Sequence, residues 1–337
     1  MNVLIIGGTG TISRAIVQAL LRRGHSVTLY NRGLRADPPP AEVRVIIGDR
    51  RDRPAFEAAL QHESFDAVID MISYTADDAA SALSALRGRV GHFIQTSTVM
   101  TYGPPFTGLY QDETAPLYGR NDGGYGENKV AADELLMRAF VEEQFPVTIV
   151  KPSFTYGPGH PLWRQTDWHT DWIDRLRKHK PLLVVGDGLN YFQFLPAPDA
   201  AEAFAGLLGH PQALGKIVNL ANPQPITWIE WHQAGAAALG IEAELVGAPA
   251  ELLIATNPER YGSLRANFAH SQIFRNAELE RLLPAWQPTT DRHTHLQATI
   301  EWMDRHNRVA NSDDDTLEDR IIAALRELPE RVRFQPA

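Results

Sequence analysis

Three short stretches carry residue types that could do chemistry together. Tyr125-Gly126-Glu127-Asn128-Lys129 sets a phenol and an ammonium at i and i+4, neighbours on one helix face. Gly7-Gly8-Thr9-Gly10-Thr11-Ile12-Ser13 follows the first apolar run and opens the first helical pattern. Gly7 permits a tight turn, Gly10 lets the backbone approach a pyrophosphate, and small Ser13 stands where a third glycine is usual. The helix N-terminus then adds amides and a positive dipole. This predicts a dinucleotide site contacted by Gly7, Thr9, Gly10, Thr11 and Ile12. Thr96-Ser97-Thr98 ends the fifth strand run and brings a hydroxyl toward the mouth where Tyr125 points. The joint chemistry is hydride transfer between a nicotinamide and a carbinol carbon, with a proton moving at the carbinol oxygen. A free tyrosine titrates near pH ~10, too high for a base at neutral pH. A nearby ammonium and the nicotinamide's positive charge favour phenolate. Tyr125 and Lys129 are therefore expected both in catalysis and beside the cofactor, Lys129 holding the nicotinamide ribose. Thr98 is expected to bond and orient the reacting oxygen.

The second strand ends in Tyr30-Asn31-Arg32, where an NAD site usually carries an acid for the ribose hydroxyls. Neutral Asn31 and cationic Arg32 instead predict NADP in preference to NAD, Arg32 meeting the 2′-phosphate. Asp49 is either an acceptor for the adenine amino group or a surface turn. Arg50, Arg51 and Arg53 read as a solvated basic face balanced by Asp49 and Asp52. Farther on, Trp163 and Trp168 could stack on sugar C–H surfaces. Trp168 and Trp172 also stand at i and i+4, so packing within the lobe is as open as ligand contact. His169, His293 and His295 form no metal set, the last two having exposed-turn character, and no metal is expected.

Positioning these groups requires alternating strands and helices. Apolar runs at Val3–Ile6, Ser26–Tyr30, Val43–Ile47, Asp66–Ile72, His92–Thr96 and Val147–Val150 alternate with helical patterns. The helices are Ile12–Leu21, Pro54–Gln61, Ala76–Leu86 and a long one from about Gly126 to Glu143. The expected fold class is α/β, a Rossmann-type doubly wound parallel sheet with a smaller C-terminal lobe. Residues 1–156 form the dinucleotide-binding domain, its sheet completed by about 196–222. Residues 157–195 and 223–310 form the substrate lobe, and 311–337 a surface-packed helical tail. Of 337 residues 44% are apolar and 22% charged, an ordinary globular composition. There is no cysteine, which excludes disulfides, thiolate metal sites and Cys nucleophiles. The net charge of −9 disfavours nucleic acid, and no apolar run is long enough to span a membrane. The expected setting is cytoplasmic.

Together the glycine loop, the hydroxyl-bearing fifth strand, the Tyr125–Lys129 pair and Tyr156-Gly157-Pro158 resemble the extended short-chain dehydrogenase/reductase superfamily. More narrowly, they resemble its NAD-dependent epimerase/dehydratase branch, over about residues 1–210. The resemblance implies a bound nicotinamide cofactor, Tyr as acid/base and a homodimer. It also places Thr98, five positions before Gly103, at the catalytic Ser/Thr position, with Thr96 and Ser97 as neighbours able to substitute. Val99 and Met100 stand where the sugar-nucleotide 4,6-dehydratases carry Asp and Glu, so that dehydration is not expected. Phe154 and Phe192 occupy positions where nucleotide-sugar enzymes commonly carry Asn and Arg for the diphosphate. A phosphate facing two phenyl rings would be poorly compensated. Phe154, Phe192, Trp163, Trp168 and Thr98 are accordingly the expected substrate contacts. The expected function is an NAD(P)-dependent epimerase of a sugar or polyol-like small molecule that is not a nucleotide sugar. One alternative is an NADP(H)-dependent dehydrogenase or reductase with net turnover. Another is a non-catalytic NAD(P)- or RNA-binding protein, since the segments at Asn31–Gly33 and Gly48–Asp52 also resemble chloroplast stem-loop-binding relatives.

Overall fold

The computed structural model describes residues 1–34, 38–103, 106, 108–118, 124–265 and 268–333. Part of the expected Gly33–Pro40 loop lies outside them. The first apolar runs become β1 (Asn2–Ile6), β2 (Ser26–Asn31), β3 (Arg44–Ile47), β4 (Phe65–Asp70) and β5 (Val90–Thr96). Between and after them come α1 (Thr11–Arg22), α2 (Arg53–Leu60), α3 (Ala76–Leu86) and α4 (Tyr125–Glu143). Strands Val147–Pro152 and Ile217–Leu220 complete a seven-stranded sheet. Its order is Ile217–Leu220, Val147–Pro152, β5, β4, β1, β2, β3. Every pairing in it is parallel, so the expected doubly wound sheet is present.

The apolar runs are nearly continuous because both faces of the sheet are covered. Val3 and Ile5 of β1 enter one core with α1 and the helix Ala197–Leu207. Leu4 and Ile6 enter the opposite core with residues of α2, α3 and α4. Strand order reverses beside β1, whose Ile6 is in register with Tyr30 on one side and Asp70 on the other. Such a switch opens a crevice at the carboxyl ends of the strands. Helix starts near that end are fixed locally. The Thr75 hydroxyl accepts from the Asp78 amide at 3.2 Å while the Asp78 carboxylate accepts from the Thr75 amide at 3.2 Å, a reciprocal cap on α3. Gly124 precedes α4 with φ +66°, a left-handed bend that lets Tyr125 begin the helix.

The chain divides into two compact units. The first comprises 1–159, 193–225 and 273–290 and holds the large sheet. The second comprises 160–192, 226–272 and 291–337. It contains helices Trp172–Arg177, Trp228–Ala238, Arg292–Arg305 and Leu317–Arg331, with a parallel strand pair, Leu182–Val185 and Leu245–Ala248. Its interior is partly ionic. Arg164, fully buried, donates to both oxygens of buried Glu318 at 2.7 and 2.5 Å, and Arg175 lies 3.6 Å from the same carboxylate.

Local details depart from the spacing in the sequence at the tail, at Trp168 and at His293 and His295. Within the expected 311–337 helical tail the helix starts only at Leu317, because acidic side chains before it serve the turn: Asp315 accepts from the Leu317 amide at 2.8 Å. It packs through buried Glu318. Trp168 and Trp172 share no helix. Asp167 accepts from the His169 amide at 2.9 Å and from Arg260 at 2.7 Å, which keeps Trp168 in a loop. His293 and His295 lie not in a turn but in the first turns of Arg292–Arg305, whose N-cap Asp291 accepts from the Thr294 amide at 2.9 Å.

Candidate active site

The glycine loop joins β1 to α1 as the sequence requires. Gly8 has φ +80°, and a Cβ there would meet Leu29 at 2.5 Å, so only glycine fits. Ser13 is buried. Its hydroxyl accepts from the Gly10 amide at 2.9 Å and donates back to the Gly10 carbonyl at 3.2 Å, stiffening the loop where a third glycine would leave it bare. The first-turn amides of α1 have no carbonyl four residues earlier to receive them. Beside them the Thr11 hydroxyl oxygen is buried without a hydrogen-bond partner among the described residues. An orphaned hydroxyl next to open helix-terminal amides fits a pyrophosphate, so the residues present suit a dinucleotide. Thr9, Gly10, Thr11 and Ile12 are all partly exposed there.

At the end of β2 the Asn31 side chain accepts from the Gly33 amide at 2.8 Å, shaping the turn that leaves Arg32 exposed. Asp49 is exposed, and one of its oxygens takes the Arg51 amide at 2.9 Å, as a surface turn residue does. The expectation of a solvated triple-arginine face is wrong at Arg50. That side chain is 4% exposed, donates to Asp70 at 2.6 Å and to the Asp78 carbonyl, and lies over Phe56 at 4.9 Å. Asp70 ends β4 fully buried, and an ion there needs a partner of opposite sign.

Thr98, Tyr125 and Lys129 come together. Tyr125 is 39% exposed, and hydrogen bonding with Thr98 is one influence on its phenol. The Lys129 ammonium lies 5.9 Å from the Tyr125 ring centre and donates to two carbonyls, Ser73 at 2.7 Å and Thr96 at 2.8 Å. These carbonyls follow β4 and end β5, so one ammonium ties both strand ends to α4. Loss of hydration pulls Lys129 down to about 8, against the pull of Asp133, Asp70 and Asp78. Desolvation, with the Tyr74 phenol adding to it, instead pushes Tyr125 up to about 12, and the Thr98 bond only partly offsets this. The expected phenolate is therefore not favoured by the chain's own charges. At neutral pH Tyr125 is a phenol with a proton to give.

Tyr74 was not foreseen. It follows Ser73 on the β4–α3 connection, its ring lies 6.4 Å from that of Tyr125, and the Lys129 ammonium sits 4.9 Å over it. Two phenols thus flank one cation. Nothing at short range marks Tyr74 in the sequence; the only available signal is its place just beyond the end of a crevice-lining strand.

The remaining expected contacts are distributed as follows. Phe154, in the first unit, is half-buried with its ring edge-on to Phe194 at 5.2 Å. In the second unit Phe192 is buried and stacks on Trp228 at 5.5 Å. Trp163 meets Trp168 edge-on at 4.4 Å, and Trp168, 43% exposed, meets Phe268 at 5.3 Å.

Comparison with known proteins gives the family and the fold. The model of the NAD dependent epimerase/dehydratase family matches residues 3–221. The chain is 29% identical to a 2'-dehydrokanamycin reductase of Streptomyces kanamyceticus, over 98% of this chain and 91% of the relative. It is 25% identical to an Arabidopsis thaliana chloroplast stem-loop binding protein of 41 kDa, over 86% of this chain and 76% of that one. Among solved structures, a UDP-glucose-4-epimerase from Stenotrophomonas maltophila with bound NAD and formylated UDP-arabinopyranose has the same fold. There the TM-score is 0.73 at 20% identity, covering 92% of this chain and all of that one.

Proposed function

The chain belongs to the NAD-dependent epimerase/dehydratase family, and from that premise we propose that it interconverts a carbonyl and an alcohol on a carbohydrate-like substrate. Tyr125 is the proton carrier, Thr98 orients the reacting oxygen, and Lys129 holds the cofactor. The observation that carries this reading is the convergence of these three side chains where β4 and β5 end. The dinucleotide, when bound, supplies or accepts the hydride. Gly7, Thr9, Gly10, Thr11 and Ile12 would hold its pyrophosphate, and exposed Arg32 would favour a 2′-phosphate. In the reducing direction the carbonyl oxygen takes the Tyr125 proton as the carbon–oxygen π bond opens, leaving an alcohol. In the oxidising direction the same phenolic oxygen takes that proton back. Thr98, tethered by its own strand end, keeps the oxygen aligned with Tyr125.

Net reduction is the favoured direction. The relative named a 2'-dehydrokanamycin reductase aligns with nearly the whole chain. Epimerisation, with hydride leaving and returning to the opposite face, is the second reading, supported by the family match. Phe154 supports a substrate lacking a nucleotide diphosphate, because a phenyl ring offers phosphate no donor. RNA binding is disfavoured: with Arg50 buried, the basic run presents no three-charge surface.

The test is incubation of the chain with NADPH or NADH and a panel of keto-glycosides. Stoichiometric cofactor oxidation is expected, with tighter binding of NADPH. Tyr125→Phe should lower turnover at least ~100-fold while dinucleotide affinity is kept. Near-normal turnover by that variant would remove Tyr125 from the mechanism, and a cofactor recycled without consumption would favour the epimerase.

A further inference from the structure

We propose that Asp133 and Lys151, which touch neither substrate nor cofactor in this reading, are positioning residues that set Thr98 against Tyr125. The proposal rests on the reading above.

Asp133 follows Tyr125 and Lys129 at the same four-residue interval on α4, so the three share a face. It is 1% exposed. Its Oδ2 accepts from the Ser97 hydroxyl at 2.6 Å and stands 3.5 Å from the Lys151 ammonium. Lys151, fully buried on Val147–Pro152, donates to the Thr101 hydroxyl at 2.8 Å. Thr101 donates in turn to the Thr98 carbonyl at 2.9 Å. Thr98 is thereby held from both sides, through Ser97 just before it and Thr101 three residues after it. The anchor is the helix that carries Tyr125.

A wholly buried ion pair is poor economy for stability alone, since apolar side chains of equal size commonly serve as well. What an apolar pair cannot do is accept the Ser97 proton on one side and donate to Thr101 on the other. The Lys151 ammonium also lies 4.9 Å over the Tyr102 ring, whose hydroxyl donates to Asn219 at 2.7 Å, so the anchor itself is held. Asp133 has a second consequence: its charge is the largest influence keeping Lys129 protonated against burial.

Two measurements on Asp133→Asn, Lys151→Met and the double variant test this. Hydrogen exchange, which needs no substrate, should show the 97–102 segment losing protection about tenfold or more while β1 and β4 keep theirs. With the best keto-glycoside and saturating dinucleotide, kcat should fall on the order of ten- to hundredfold with KM nearly unchanged, and the double variant should be no worse than the poorer single; dinucleotide affinity should stay near wild type in Lys151→Met and weaken in Asp133→Asn, which takes from Lys129 its strongest charged neighbour. If Asp133→Asn does not fold, Ser97→Ala, which removes one hydrogen bond and no charge, must reproduce the exchange and kcat effects. Native exchange in the 97–102 segment, unchanged kcat, or single losses that multiply in the double variant would each overturn the proposal. An active Tyr125→Phe would instead bring down the reading beneath it; an inactive Tyr125→Phe beside a fully active Asp133→Asn sinks only the positioning role.

Discussion

Lys129 is a buried cation whose charge is held only loosely. Desolvation brings it down to about 8 even with Asp133, Asp70 and Asp78 nearby, and its ammonium donates to two carbonyls, Ser73 and Thr96. If this group holds the dinucleotide, binding needs it protonated. Affinity should then be flat from pH 6 to 7 and fall by up to tenfold per pH unit above about 8, because each binding event must take up one proton. Calorimetric or fluorescence titration of NADH across pH 6.5–9.5 measures this. Lys129→Met should bind weakly and show no such slope. A wild-type affinity constant to pH 9.5 would mean that Lys129 serves only to join β4, β5 and α4. Tyr125, pushed up to about 12, stays protonated throughout that range and contributes no slope of its own.

Arg50 shows how a connection between elements is fixed. It lies between β3 and α2, yet its guanidinium reaches Asp70 at the end of β4 and the Asp78 carbonyl in α3. Asp70→Asn takes from that buried cation its nearest carboxylate, leaving only Asp78 at 3.8 Å, and should cost about 3 kcal/mol, read by urea unfolding. Arg50→Met paired with Asp70→Leu should cost less than Asp70→Asn alone; equal or additive losses would show that the pair does not act as a unit. This pairing was invisible in the sequence, where Arg50, Arg51 and Arg53 look alike. Burial of one arginine depends on a carboxylate 20 residues away at the end of β4. The same limit hid Tyr74, the Asp133–Lys151 pair, and the Arg164–Glu318 pair, whose partners are 154 residues apart. The strands of the large sheet, by contrast, were legible because burial on both faces writes itself as continuous apolar residues. The Tyr125–Lys129 pair was legible because helical spacing is local. The upward push on the phenol was not, because it comes from desolvation by the fold and from Tyr74 and Asp133, which the fold and not the Tyr–Lys spacing sets around it.

Each compact unit also buries one histidine in its neutral form, which ties the stability of the whole chain to mild acid. In the first unit, His92 Nδ1 accepts from the Gly209 amide at 2.9 Å, so the proton sits on Nε2, 2.8 Å from the Thr148 hydroxyl. Burial, helped by His210, lowers its pKa to about 4. In the second unit, His232 Nδ1 donates to the Trp228 carbonyl at 2.7 Å, and burial, helped by the charge of Arg164, lowers it to about 3. Both groups titrate near 6.5 once exposed. Between those values the unfolded chain binds protons that the folded chain refuses, so unfolding is favoured as pH falls. Each histidine should remove about 2 kcal/mol of stability between pH 7 and pH 5. Most paired carboxylates add nothing there, since depressed groups such as Asp167 lose their contribution only below the ordinary carboxylate range. Urea unfolding at pH 7, 6 and 5 follows the loss, and the decisive quantity is the slope rather than the absolute stability. His92→Gln should flatten the acid slope of the transition that reports the first unit, and His232→Gln that of the second. Variant and wild-type curves running parallel would mean that these rings take up protons without opening the structure around them.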